Sequence, residues 1–293
     1  MGRLGRILRR LALGIFAAAL LVALTRWLGS ASGAGWLSGD LVAVVWVEGA
    51  IEESEAVVEA LDDLAEKDSV DAVVLRVDSP GGAVAPSQEI YDAIGRLREK
   101  KPVIASLGNL AASGGYYVAA ACDAIVANAG TLTGSIGVLM ELPNVEELLR
   151  KVGLAGEVLK AGRYKDIGSP IRPMTPEERE IMQGLLANVH EQFVAAVAKG
   201  RKLEVEAIRP LADGRVFSGE QALEHGLVDR LGGLRDAVAL AAERAGIVGT
   251  PKRIEFREGK ESWFWGLVGR AVGSLPKGAL GLQFLYLGPR SPG

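Results

Sequence analysis

The chain has 293 residues, and its 33 lysines and arginines face 36 aspartates and glutamates. Five of the arginines lie within the first 26 residues, which leaves 28 basic residues against 36 acidic ones in the remainder. This negative balance argues against nucleic acid as a partner. The single cysteine, Cys122, excludes an internal disulfide framework. With two histidines, His190 and His225, the sequence offers no histidine-rich zinc site, and we predict neither a metal nor a cofactor.

The N-terminal residues predict a membrane anchor. Residues 1–10 are basic, and residues 11–28 are apolar apart from Arg26. At about 1.5 Å per residue this stretch extends about 27 Å, close to the hydrocarbon thickness of a bilayer. Basic residues ahead of the span place the N-terminus in the cytoplasm and the chain beyond a linker at 29–39 outside the cell membrane. A cleaved signal peptide is the alternative, because small residues at 30–34 suit a signal peptidase.

From Asp40 onward, apolar runs alternate with helical patterns. Buried strands are predicted at 41–47, 70–77 and 103–107, with helices between them at 54–66 and 85–100. This βαβαβ order predicts an α/β fold with a parallel sheet, flanking helices and right-handed crossovers. We assign residues 40–248 to one such domain.

The second half of this domain is predicted to be mainly helical. Thr175-Pro-Glu-Glu opens a long helix, because it offers an N-cap, a first-turn proline and acidic residues at the positive end of the helix dipole. The other predicted elements are a helix from Ser113 to 121, a strand at 124–127, a helix at 146–152, a strand at 157–159 and helices at 219–225 and 233–245.

Two glycine-bearing loops follow neighbouring predicted strands. They span residues 77–82 and 108–115, and ligands bind beyond the carboxyl ends of strands in such sheets. If Ser113 attacks a carbonyl, the backbone N–H groups of Gly82 and Gly114 are placed to hold the oxyanion. Two simple tight turns remain the alternative interpretation.

A serine nucleophile needs a base, and neither histidine is well placed for that role. His190 falls in the middle of the predicted long helix, and His225 falls at a helix C-terminus, where a structural role is favoured. Lys165, 52 residues after Ser113, is the candidate, provided that burial and substrate keep it neutral. A solvated surface lysine is the alternative.

Four segments resemble the signal peptide peptidase A family of membrane-anchored serine proteases. They are Asp78–Gly82, Ala111–Tyr117, Thr131–Val138 and Lys165–Pro170. Two further segments, at 214–219 and 226–233, extend the resemblance over about residues 40–245. The resemblance implies a fold related to the Clp protease and crotonase folds, which agrees with the parallel sheet.

The resemblance also implies roles for individual residues. Ser113 matches the nucleophile, Lys165 the general base and Ser135 the serine that orients the lysine. Gly82 and Gly114 match the oxyanion donors. The expected substrates are apolar peptides such as released signal peptides, and single-copy members are expected to form homo-oligomeric rings whose dyad can be completed between subunits.

Three other functions stay open at this point. A protease that cuts stomatin-like partners is close, but its serine-to-lysine interval is shorter. A crotonase-like acyl-CoA enzyme shares the fold but is normally cytosolic. An inactive membrane scaffold is the third, and it is disfavoured because Ser113, Lys165, Ser135 and both glycine pairs are all present.

The tail at 249–293 is predicted to be apolar and amphipathic. From about Pro251 we expect an amphipathic helix on a neighbouring subunit, or contact with the membrane through Trp263, Phe264 and Trp265. Residues 267–287 have the length of a span, but Arg270, Pro276 and Lys277 interrupt them, so no second span is predicted.

Overall fold

The computed structural model describes residues 40–257 and the backbone of residues 285–287. The predicted anchor at 11–28 and most of the predicted tail lie outside these residues. Within the described part of the chain, no helix combines the length and the apolar composition that a membrane crossing needs.

The strands form one eight-stranded sheet and one two-stranded sheet. They are β1 (Leu41–Glu48), β2 (Ala72–Ser79), β3 (Gly81–Ala83), β4 (Val103–Ala112), β5 (Ala124–Ala127), β6 (Leu132–Gly134), β7 (Val216–Ser218), β8 (Arg230–Leu231), β9 (Lys252–Phe256) and β10 (Leu285–Leu287). The main path of the large sheet is β7-β6-β4-β2-β1-β9, and β5 joins β4 to β8. All its pairs are parallel except β6 with β7. β3 and β10 form the small antiparallel sheet.

Helices connect the strands and cover the sheet. They are α1 (Glu55–Glu66), α2 (Val84–Arg98), α3 (Gly114–Ala120), α4 (Glu146–Lys151), α5 (Pro176–Arg201), α6 (Val205–Ile208), α7 (Gly219–Glu224) and α8 (Leu234–Arg244), with a 3-10 turn at Arg209–Leu211. The described residues therefore form an α/β domain with a mostly parallel sheet.

The core lies on both faces of β1, β2 and β4. Side chains alternate along a strand, so Val45 and Leu75 face one apolar cluster while Val44 and Val74 face the other. Helices α1, α2 and α3 cover the first face, and α8 covers the second. Fully burying a valine or leucine contributes about 1.5–3 kcal/mol, which explains why these strands read as continuous apolar runs.

The long helix α5 begins and packs as its sequence dictates. Thr175 and Glu178 form a capping box, in which each side chain accepts a hydrogen bond from the backbone N–H of the other. Near its far end the helix approaches α3 so closely that a Cβ on Gly200 would lie 2.0 Å from the Ala120 carbonyl oxygen. The helix is thus fixed to the element that follows Ser113.

The predicted βαβαβ unit is confirmed, and the predicted strand at 124–127 and long helix are confirmed as well. The predicted strand at 157–159 is wrong. These residues have no regular structure and are exposed, Leu159 by 90%, because no described strand lies beside them to complete the backbone hydrogen bonds.

The beginning of the predicted tail also differs from expectation. Residues 252–256 form β9, which pairs in parallel with β1, rather than the start of an amphipathic helix. The helical interpretation was wrong there because the edge of β1 offers backbone partners that a local pattern does not reveal. Five strands of two or three residues, β3, β6, β7, β8 and β10, were also not predicted.

Candidate active site

Ser113 lies at the sharp turn between β4 and α3. Its φ of 55° and ψ of −121° are unusual for a residue with a side chain and cost about 1–3 kcal/mol. Two backbone hydrogen bonds hold the turn: the Ser113 N–H donates to the Gly134 carbonyl, and the Ser113 carbonyl accepts from the Tyr117 N–H, both at 2.8 Å. A strained strand-to-helix turn of this kind presents its side chain at the carboxyl edge of a sheet.

The Ser113 hydroxyl is buried and unpaired. The residue is 1% exposed, and Oγ has no hydrogen-bond partner among residues 40–257. An unpaired buried hydroxyl costs about 1–3 kcal/mol, so native proteins rarely keep one without a functional reason. His225 is not its partner, because the imidazole instead packs edge-on against Phe217, with 5.3 Å between ring centroids.

The two predicted oxyanion donors lie together beside this turn. A Cβ built on Gly114 would be 3.2 Å from the Gly82 nitrogen and 2.6 Å from Ser87 Oγ. The Gly114 N–H is in the first turn of α3, where it has no acceptor within the helix. Gly82 is also confined, because a Cβ there would lie 2.1 Å from the Ile51 carbonyl oxygen. Gly82 has no room for a side chain, and a side chain on Gly114 would displace the Ser87 hydroxyl and press against the Gly82 backbone.

Ser135 is brought to the same turn by β6. The register of β6 on β4 pairs Ala112 with Gly134, whose carbonyl accepts the Ser113 N–H. Ser135 follows directly, is buried, and has a φ of 51°. Its own N–H donates to the Arg215 carbonyl at 2.8 Å, which ties it to the chain before β7. Ser113, Ser135, Gly82 and Gly114 therefore share one edge of the sheet.

Lys165 is not brought into contact with Ser113 within the single chain. It is exposed and lies in a run of turns, with its N–H bonded to the Gly162 carbonyl at 3.2 Å. Ser113 Oγ has no partner in the described residues, so the lysine ammonium is not within hydrogen-bond distance of it. The burial that we expected around Lys165 is absent from the described chain.

Several supporting residues were not singled out from the sequence. The Thr131 and Thr133 hydroxyls donate to the Gly108 and Ala111 carbonyls, each at 2.7 Å, and so connect β6 and the residue before it to the C-terminal half of β4. Asp78 accepts the Leu110 N–H at 3.1 Å. In the sequence, Thr131 and Thr133 could have been recognised by their alternation ahead of Gly134, and Asp78 as an acidic residue at the end of a buried strand.

The edge of β3 accepts an extended backbone. β10 lies antiparallel to it, with residue 286 opposite Gly82. An open pocket of about 240 Å³ lies on the other side of β3, where Ile51 bridges Gly82, and its apolar lining includes Ile51, Val57 and Ile90. Three carboxylates, Glu48, Glu52 and Glu53, also line it. The described chain therefore places an extended backbone beside Gly82.

Two protein-family models match this chain. The model described as Peptidase family S49 matches residues 95–248, and the model described as Clp protease matches residues 42–130. The chain belongs to peptidase family S49. The first match contains Ser113, Ser135 and Lys165, and the second contains Gly82 and Gly114. The resemblance to the signal peptide peptidase A family is thereby confirmed.

Relatives in this family come from distant organisms. A Synechocystis protein that bears the provisional name of a protease is 50% identical over 216 residues, which cover 73% of this chain and 77% of that protein. The chloroplastic serine protease SPPA of Arabidopsis thaliana is 38% identical over 195 residues, 66% of this chain and 29% of that protein. Protease 4 of Salmonella typhi is 37% identical over 218 residues, 71% and 35% respectively. The chain is a serine protease of family S49.

Other reactive groups in this S49 domain do not resemble catalytic centres. Cys122 is buried, and burial raises the pKa of its thiol well above the ordinary value, which keeps it protonated. Within residues 40–257, no three His, Cys, Asp or Glu side chains group as metal ligands would.

Proposed function

We propose that this S49 chain is a Ser-Lys endopeptidase in which Ser113 is the nucleophile and Lys165 the general base. The observation that carries the proposal is the strained Ser113 turn, which holds a buried, unpaired hydroxyl beside the Gly82 and Gly114 backbone. A hydroxyl that is costly to bury and next to paired N–H donors suits acyl transfer better than a structural role.

The proposed chemistry is acylation followed by deacylation. Neutral Lys165 takes the proton of Ser113 Oγ as that oxygen attacks the peptide carbonyl carbon. The N–H groups of Gly82 and Gly114 stabilise the negative oxygen of the tetrahedral intermediate. The lysine ammonium then gives its proton to the departing amine, and water hydrolyses the acyl-serine by the same steps. Ser135, adjacent to the Ser113 turn, accepts a hydrogen bond from the lysine and orients it.

Lys165 is supplied by a neighbouring copy in this proposal. The single chain leaves Ser113 Oγ unpaired and Lys165 exposed, so a site that is complete needs a second chain. The segment ahead of Lys165 also exposes an apolar surface, with Leu148, Val152 and Leu154 each 61% exposed. Exposed apolar patches of this kind mark protein interfaces. A closed homo-oligomer would bury this surface and give every serine a lysine.

The proposed substrates are extended apolar peptides, such as signal peptides after their release from preproteins. β10 supports binding as an added strand, because it already pairs with the edge of β3 opposite Gly82. The pocket on the other side of β3, whose lining includes Ile51, Val57 and Ile90 as well as three glutamates, would receive a substrate side chain. We further propose that residues 11–28 anchor the chain in the cell membrane, with the N-terminus in the cytoplasm and the protease domain outside.

The decisive experiment mixes two inactive variants of the full chain. Ser113→Ala and Lys165→Ala should each lose peptide hydrolysis, and co-assembly should restore part of it, because some interfaces then pair an intact serine with an intact lysine. Lys100→Ala is the matched control, since Lys100 is an exposed lysine that pairs with Glu66 at the end of α1. It should keep wild-type activity.

The outcomes separate the parts of the proposal. Full activity of Lys165→Ala would contradict its role as base. Two inactive variants that never complement, although mixed oligomers form, would contradict the shared site. Mass spectrometry of products from a panel of apolar signal peptides and stomatin-like sequences would identify the substrate class, and activity on neither would contradict the proposed substrate.

A further inference from the structure

Arg172 uses every N–H donor of its guanidinium. Nε donates to Asp166 Oδ2 at 2.8 Å, and Nη2 donates to the Asp166 carbonyl at 3.2 Å. Nη1 and Nη2 donate to the two carboxylate oxygens of Glu178, at 2.8 and 2.5 Å. The remaining Nη1 hydrogen goes to the Pro173 carbonyl at 3.0 Å. Five donors on five acceptors define the orientation of this side chain completely.

One partner of Arg172 is the residue next to the proposed base. Asp166 follows Lys165, and its carboxylate is 11% exposed. Lys160 Nζ also contacts that carboxylate. The two cationic partners hold the pKa of Asp166 far below its usual range. Arg172 thus grips both the side chain and the backbone of the residue beside Lys165.

The other partner belongs to the start of the long helix. Glu178 is 3% exposed and completes the capping box with Thr175 at the beginning of α5. Its hydrogen bonds to Arg172 lower its pKa to about 2. α5 is 26 residues long and packs on α3, which begins directly after Ser113. Arg172 therefore links the Lys165 turn to a rigid element of the domain.

Few other contacts restrain this turn within the described chain. Its backbone hydrogen bonds are local, such as the Ile167 N–H to the Tyr164 carbonyl at 3.1 Å. Arg163 and Tyr164 both contact Glu177, but Arg163 is 72% exposed, so that pair is weakly restrained. The bridge through Arg172 is better shielded, because the guanidinium side chain is 27% exposed and its carboxylate partners 11% and 4%.

We infer that Arg172 is a positioning residue that holds Lys165 at the height and direction needed to reach Ser113 of a neighbouring copy. The inference rests on the proposed role of Lys165 as base. Without the guanidinium, Asp166 loses its link to α5 and the Lys165 turn is free to shift. A displacement of about 1 Å at a catalytic group can cost about 10²-fold in rate.

The test compares Arg172→Ala and Arg172→Lys with wild type, using the full chain and an apolar peptide. We expect Arg172→Ala to lower kcat by about 10²-fold with little change in KM, and added guanidinium at millimolar concentration to recover about tenfold. Arg172→Lys keeps the charge but cannot bridge two carboxylates, so it should also lose activity. Arg209→Ala is the control. It breaks an exposed ion pair between Arg209 and Glu191 of α5 and should change neither kcat nor KM.

Further variants distinguish positioning from general damage. The double variant Asp166→Asn with Arg172→Ala should be no less active than Arg172→Ala alone, because both changes break one connection. Wild-type kcat in Arg172→Ala, or a double variant that is clearly less active than Arg172→Ala alone, would overturn the inference. If Lys165→Ala is inactive while Arg172→Ala is fully active, the positioning role alone fails. If Lys165→Ala is active, the proposed base fails instead.

Discussion

The backbone N–H of Ser113 donates a 2.8 Å hydrogen bond to the carbonyl of Gly134, the residue before Ser135. This bond connects the turn at the end of β4 with the end of β6. Both serines have positive φ angles, of 55° and 51°, so neither conformation is favoured locally. The pairing of the two strands imposes both conformations, and the geometry around the Ser113 hydroxyl depends on it.

Gly134→Ala should disrupt this connection. Gly134 has a φ of 77°, and a Cβ there would lie 2.6 Å from Phe217 Cδ2. We expect a loss of about 1–3 kcal/mol in unfolding free energy together with a lower kcat. Gly130→Ala is the matched control, since a Cβ at Gly130 would meet nothing within 4 Å. Denaturant unfolding and peptide hydrolysis measure both effects, and equal behaviour of the two variants would contradict the prediction.

Gly114→Ala should impair catalysis while leaving the fold intact. The added methyl would overlap Ser87 Oγ and press against the Gly82 nitrogen, 3.2 Å away. Disturbing one oxyanion donor typically lowers kcat by about 10²–10³-fold. Gly95→Ala, within α2 and with open space around its Cβ, should keep kcat and gain up to about 1 kcal/mol in stability. A Gly114→Ala enzyme with unchanged kcat would argue against the proposed oxyanion donors.

Ser113→Gly should be inactive and more stable than wild type. Glycine adopts a φ of 55° without steric cost and removes an unpaired buried hydroxyl. The expected gain in unfolding free energy is about 1 kcal/mol, less than the full strain because glycine also costs chain entropy. Ser87→Ala provides the contrast, because the Ser87 hydroxyl donates to the Ala83 carbonyl at 2.8 Å and its loss should destabilise. Calorimetry that shows Ser113→Gly to be less stable would refute the idea that function is the reason for the strain.

Acid should weaken the fold through Glu178. The Arg172 guanidinium lowers the pKa of Glu178 from 4.5 to about 2. A lowered carboxyl pKa contributes stability that is fully present above about 4.5 and is lost as the pH falls through 2. Urea unfolding between pH 2 and 6 should therefore show a smaller slope with pH for Glu178→Gln than for wild type. The exposed Glu99→Gln should retain the wild-type slope, and a common slope for all three would contradict the assignment.

Removal of residues 285–293 should lower KM for peptides. β10 occupies the edge of β3 that we assign to substrate, so it must leave before a substrate strand can bind. The kcat should stay unchanged because no residue of the proposed dyad is removed. Tyr286→Pro in the full chain should act in the same direction, since proline lacks the N–H that a strand pairing uses. An unchanged KM in both variants would show that the substrate binds elsewhere.

The sequence predicted the central part of the fold because burial on two faces leaves a direct signature. Val42 to Val47 and Val73 to Val77 are apolar at nearly every position, which only a covered parallel strand requires. This signal depends on residues near one another in sequence, whereas the close approach of Gly82 and Gly114 joins residues that are distant in the chain.

The remaining features depend on partners that are distant in the chain. β6 has three residues and exists because β4 and β7 flank it, and β9 exists because the edge of β1 is available. The bridge of Arg172 to Asp166 and Glu178 has no periodicity that could reveal it. Leu159 has an apolar sequence context typical of a strand, yet no described strand lies beside it. Tertiary context decided these positions.

The separation of Ser113 from Lys165 would make proteolysis conditional on assembly. Under the proposed shared site, a lone chain carries a serine without a base and a base without a serine, so dilution alone would silence it. Activity at low concentration should then rise more steeply than in proportion to the enzyme concentration. Newly made chains would stay harmless to neighbouring proteins until enough copies had gathered.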